Sequence, residues 1–265
     1  MTPPSSRASK RISTYLALAF GISWGAFALR RGVSWGPGVD EALRLIVKFG
    51  PSLAGIMVAA AYGGSRGVLS LLRRLRVPIH QPGWILVAFG LPIVILLVAL
   101  PLRSVIGGSI RPLNLMPIGE ALLIFGSLLA TRFFLGGGLG EELGWRGVML
   151  PALQPRMGPL QASIVIGLVH GAWHLPAYGA GVIFLTLFTV SGSILFTWMY
   201  NRTDGSLFLP ALMHATANAS LPFVEQVVPA IDGELAFPLL VFLLWAVAAL
   251  FVVSRLGPAG GQGAA

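Results

Sequence analysis

Three short stretches place ionisable and amide side chains where the surrounding sequence is almost wholly apolar. They are GEELGWRG, with Glu141, Glu142 and Arg146; LVHGAWHLP, with His170 and His174; and LMHATANA, with His214 and Asn218. Ionisable groups within a membrane span cost roughly 2.5–3.5 kcal/mol each on insertion scales, so a concentration of them points to function. Spacing assigns roles. Residues four apart share a helix face, so Glu142 and Arg146 can pair, as a structural salt bridge. Glu141 lies roughly 100° around the helix from Glu142 and is left to face a cavity. His170 and His174 share one face, and His214 and Asn218 share another. Pro176 should end the His174 helix close by.

A carboxylate with imidazoles nearby is the chemistry of water activation. Glu141 can take a proton from water, and a histidine can orient that water or carry the proton to a leaving amine. A second histidine with an asparagine can donate to the oxyanion of a tetrahedral intermediate. There is no cysteine, which excludes a thiolate nucleophile, a disulfide framework and a Cys-based metal site. His170 and His174 with Glu141 or His214 could instead hold zinc, although the HExxH arrangement is missing. The expectation is therefore a site without metal or cofactor. A bland role also exists for His170, as an interhelical hydrogen bond. Trp145, Trp173 and Trp198 read as packing or interface anchors.

These residues need a bundle to position them. Of the 265 residues 55% are hydrophobic and 10% charged, against about 25% charged in ordinary soluble domains. So little charge could not cover a soluble surface, and the bilayer is the expected solvent. Apolar runs near 12–30, 45–63, 84–101, 118–135, 159–176, 180–200, 205–223 and 236–254 predict about eight spans of an all-α polytopic bundle. The stretch 118–153 is too long for one span. Gly136, Gly137, Gly138 and Gly140 predict a broken helix near 136–141, tolerated at membrane depth only where it is buried or lines a cavity.

The net charge of +9 would suggest nucleic acid in a soluble protein. Here the basic residues lie between apolar runs, which excludes that class. Arg7, Lys10, Arg11, Arg66, Arg73, Arg74, Arg76, Arg156, Arg202 and Arg255 fall on one side, with Asp204 as the only acid. Arg30, Arg31, Arg44, Lys48, Arg103 and Arg111 fall on the other, with Asp40, Glu41, Glu225, Asp232 and Glu234. The positive-inside rule then puts both termini in the cytoplasm. Short loops and high Ala, Gly and Arg content suggest a bacterial inner membrane. The chain divides into a basic cytoplasmic start (1–11), N-terminal helices (12–117) with an amphipathic cytoplasmic connector (64–83), a catalytic core (118–223), a last helix (224–255) and a disordered tail (256–265).

The three motifs, in this order and on separate apolar segments, resemble the type II CAAX prenyl endopeptidases, also called the CPBP or Abi family of intramembrane glutamic proteases. EExxxR reads Glu141-Glu142-Leu-Gly-Trp-Arg146, FxxxH reads His170-Gly-Ala-Trp-His174, and HxxxN reads His214-Ala-Thr-Ala-Asn218. His170 replaces the family's aromatic residue. The resemblance, over roughly 118–223, implies Glu141 as the water-activating group, His174 as its partner and His214 with Asn218 as the oxyanion site. It also implies a cavity open to the cytoplasm and the membrane, and a membrane-associated peptide substrate, in eukaryotic relatives a prenylated tail. Some members of the broad family act as immunity or scaffold proteins, a non-catalytic alternative.

Overall fold

The structure is a computed structural model that describes residues 4–108, 113–231 and 235–256. Arg111, Asp232 and Glu234, counted above among the loop charges, and the tail from 257 lie outside the described residues. The described chain is all helix: α1 (Pro4–Gly32), α2 (Pro37–Arg73), α3 (Pro82–Val105), α4 (Ile118–Phe134), α5 (Gly137–Gly144), a π-helical turn (Trp145–Met149), α6 (Leu150–Trp173), α7 (Leu175–Tyr178), α8 (Val182–Arg202), α9 (Phe208–Val227) and α10 (Ala236–Phe251).

Each of the eight apolar runs coincides with a helix. Among the described residues, six segments are long and apolar enough to cross a membrane: Ala8–Gly32, Pro37–Arg73, Pro82–Val105, Ile118–Trp173, Leu175–Arg202 and Ala236–Ser254. The chain is an integral membrane protein. The 118–173 segment folds as α4, a break at Leu135 and Gly136, α5, the π turn and α6, so the glycine-rich interruption is a real break. A second reversal occurs inside α6 at Gly158, whose φ of 77° is accessible to glycine. Helix α9 is not among the six. It carries His214, Thr216, Asn218 and Gln226 along its length.

The helices build two apolar cores. One joins α3, α8, α9 and α10 around Leu195, Phe196, Met213, Phe237 and Trp245. The other joins α1, α2, the π turn and α6 around Tyr15, Val58, Trp145, Leu150 and Ile166. Helix α5 packs on α2 through glycine. A side-chain carbon at Gly144 would overlap the Pro51 carbonyl and the Tyr15 hydroxyl, and one at Gly140 would lie 2.8 Å from the Lys48 carbonyl oxygen. Ser52 Oγ donates to the Leu139 carbonyl at 2.7 Å across the same contact. This close approach sets the depth of Glu141 and Glu142.

Loop contacts sort the bundle into two ends. At one, Arg156 donates to Ser9 (3.1 Å), Arg74 donates to Tyr200 Oη (2.8 Å) and the Gly147 carbonyl (2.7 Å), and Asn201 donates to Gln154. At the other, Trp24 donates to the Trp173 carbonyl (2.9 Å), Arg30 pairs with Asp40 (2.8 Å) and Asn114 donates to the Gln226 carbonyl. The first end holds the basic loops, so the charge asymmetry expected from sequence follows the three-dimensional arrangement. Within the 64–83 connector the chain bends at Gly64 (φ 59°) and stays helical to Arg73. Leu71 is buried there, whereas Leu69 and Leu72 are exposed.

Candidate functional site

The site lies at the seam between the two cores. Helix α5 brings Glu141 and Glu142 from one side, α9 brings His214 and Asn218 from the other, and the end of α6 brings His170 and His174. All except Glu142 line a cavity of about 490 Å³.

Glu142 and Arg146 are fully buried and pair at 3.2 Å, as their spacing predicts. Glu142 also accepts from His214 Nδ1 at 2.7 Å, a link spacing along one helix could not reveal. A carboxylate accepts only, so this bond places the proton on Nδ1. The Arg146 guanidinium lies 4.9 Å over the Phe196 ring, and the same ring stacks on His214 at 5.5 Å. Glu142 therefore ties α5, the π turn and α9 together.

Glu141 points into the cavity, as the angular argument expects. Its Oε2 approaches His170 Nε2 to 2.6 Å, yet neither atom makes an aligned hydrogen bond. They touch off the N–H axis, which leaves directed bonding capacity of both for a third group. His170, not His174, makes this approach. His174 caps α6, before Pro176 in α7, with its ring stacked on His170 at 5.0 Å and edge-on to Tyr178 at 5.5 Å. Trp145 lies against the other side of His170 at 5.2 Å, so the residue read as a packing anchor holds a site imidazole. Asn218, one turn beyond His214, faces the same cavity.

Spacing did not reveal Gly137, Arg132 or Tyr178. A side-chain carbon at Gly137 would stand 2.5 Å from His214 Nε2 and 3.0 Å from Glu141 Oε1. The absent side chain thus keeps open the space between a carboxylate and an imidazole, where a water would sit. Gly137→Ala is expected to lower activity by about a hundredfold or more, the scale of general-base catalysis it would obstruct, with a proportionally smaller loss in unfolding midpoint from the displaced His214 ring. Equal loss of both would mean that the glycine serves packing alone. Arg132 brings a cation to the cavity wall, with its Nε buried and unpartnered.

Elsewhere the cavity is apolar, lined by Leu96, Phe184, Phe188, Val241 and Trp245. Through Tyr178, Gly181 and Leu235 it reaches the end of the bundle away from the basic loops.

Residues 123–220 match the family model described as Type II CAAX prenyl endopeptidase Rce1-like. CAAX prenyl protease 2 of Methanococcus maripaludis is 30% identical over 113 residues, which make up 36% of this chain and 38% of that relative. The match thus spans well under half of the curated relative. The resemblance read from the three motifs holds, and the ionisable and amide residues of the site, Arg132 through Asn218, fall inside the family-matched segment, whereas the apolar lining residues Leu96, Leu235, Val241 and Trp245 lie outside it.

Proposed function

We propose that the chain is an intramembrane endopeptidase that hydrolyses a peptide bond of a membrane-associated substrate with water activated by Glu141. The observation that carries this is the gap kept open by Gly137 between Glu141 Oε1 and His214 Nε2. A water there would give its proton to Glu141 as it attacks the carbonyl carbon, and His170 or His174 would steady the carboxylate or pass the proton to the leaving amine. With Nδ1–H bonded to Glu142, His214 donates from Nε2 only as an imidazolium. In that state, His214 and Asn218 together would hold the oxyanion.

The cavity's two halves suit a substrate with a polar chain and an apolar appendage. The Methanococcus relative is named for prenylated CAAX substrates, and a lipidated tail in the Phe184–Phe188–Trp245 half is the corresponding reading here. We place both termini in the cytoplasm, so the cavity mouth lies on the far side. The cysteine-free sequence allows a direct check. In intact cells a membrane-impermeant maleimide should label Ala180→Cys at the mouth and spare Arg76→Cys at the basic end. The reverse pattern would invert this topology.

A metal reading has one observation in its favour: ligand atoms of Glu141, His170 and His174 lie within 4.8 Å of one another. Against it, the 2.6 Å between Glu141 Oε2 and His170 Nε2 is shorter than the about 3.3 Å expected between two ligands of a tetrahedral zinc with bonds of about 2.0–2.2 Å. Cleavage of a lipidated fluorogenic peptide by the purified protein, with and without chelator, tests both. Chelator-resistant cleavage supports the glutamate mechanism; loss in chelator, restored by zinc, would replace it.

A further inference from the structure

A second cavity, of about 170 Å³, lies at the basic end, away from the site described above. It is bounded by Arg11 of α1, Tyr62 and Ser70 on either side of the bend in α2, Arg74 just beyond α2, and the backbone of Gly147 and Val148 in the π turn. We propose that this cavity binds a phosphate-type oxyanion at the cytoplasmic membrane surface.

Two guanidinium groups share the cavity, and no Asp or Glu is among its lining residues. Arg11 Nε and Arg74 Nε are both buried without a hydrogen-bond partner. The outer nitrogens of Arg74 are already engaged, with Tyr200 Oη and the Gly147 carbonyl, so its position is fixed by the fold rather than by solvent. Like charges held together in a half-buried recess repel, and an anion between them reverses that sign. Guanidinium donors match the tetrahedral oxygens of phosphate, and hydroxyls such as Tyr62 and Ser70 complete such a site.

The bend makes the space. Gly64 turns the chain, and Gly67 then packs so tightly that a side-chain carbon there would overlap the Ala59 carbonyl. A straight α2 would leave no recess. The surrounding surface carries Arg66 and Arg73, exposed cations of the kind that gather acidic lipids. The far wall is Gly147 and Val148 of the π turn, so an occupant would brace the turn that holds Arg146, the partner of Glu142.

The test uses the full-length protein in zwitterionic detergent, titrated with phosphatidylglycerol in one arm and inorganic phosphate in another. Bound lipid is read by native mass spectrometry and the unfolding midpoint by fluorescence. Arg11→Gln removes one guanidinium without touching the Arg74 contacts, and Arg66→Gln controls for general surface charge. Wild type and Arg66→Gln should bind alike, and Arg11→Gln about tenfold more weakly, the loss of one charged hydrogen bond. Binding in the lipid arm alone assigns the phosphate to a headgroup; binding in both arms assigns a general oxyanion site. Equal binding by wild type and Arg11→Gln, or none in either arm, would overturn the proposal.

Discussion

Glu141→Gln is expected to lower cleavage by about 10²–10⁴-fold, the range of general acid–base catalysis, while the bundle stays assembled. Glutamine keeps the shape and the acceptor oxygen but cannot take a proton from water. Glu141 carries no aligned hydrogen bond that the fold depends on, so removing its charge costs the scaffold little. The variant should retain substrate binding, because the apolar half of the cavity is untouched, and KM should move less than kcat. Full activity in Glu141→Gln would remove the glutamate from the mechanism.

Glu142→Leu should act in the opposite way, destabilising the protein by about 3–5 kcal/mol because a buried pair loses one member. Arg146 would remain in the interior with no carboxylate at hydrogen-bonding distance, and its Nε and one Nη are already unpartnered. His214 would lose the acceptor that fixes its ring. The double variant Glu142→Leu, Arg146→Leu should recover much of the lost stability, since apolar residues of similar volume often replace a buried pair at little cost. Both variants should be inactive through His214. Equilibrium unfolding of the two singles and the double gives the coupling directly, and simple additivity would show that the pair is not a unit.

Local spacing made part of this legible. The i,i+4 relation paired Glu142 with Arg146 and turned Glu141 elsewhere, and the structure follows both. The glycines after Leu135 announced the break, because a helix cannot hold that run at membrane depth without a reason. Links between distant segments were not legible. His214 to Glu142 spans 72 positions, and nothing in LMHATANA says which acid its Nδ1 meets. Gly137 read as one of several helix-breaking glycines; its meaning comes from what stands around the missing side chain. His170 looked like a departure from an aromatic position, and its ring still stacks as one, on Trp145 and His174, while its nitrogen reaches Glu141.

On the proposed function, the placement of the cavity mouth, at the end that carries Tyr178, Gly181 and Leu235, would make hydrolysis vectorial. With the basic end in the cytoplasm, as proposed, water would enter and the new carboxylate would leave through the opposite compartment. A substrate anchored on the cytoplasmic leaflet would have to thread its chain across before it could be cut, whereas one exported and tethered on the outer leaflet would meet the catalytic groups directly. The fold would in that case act as a processing station for exported chains, releasing product on the side from which it cannot diffuse back.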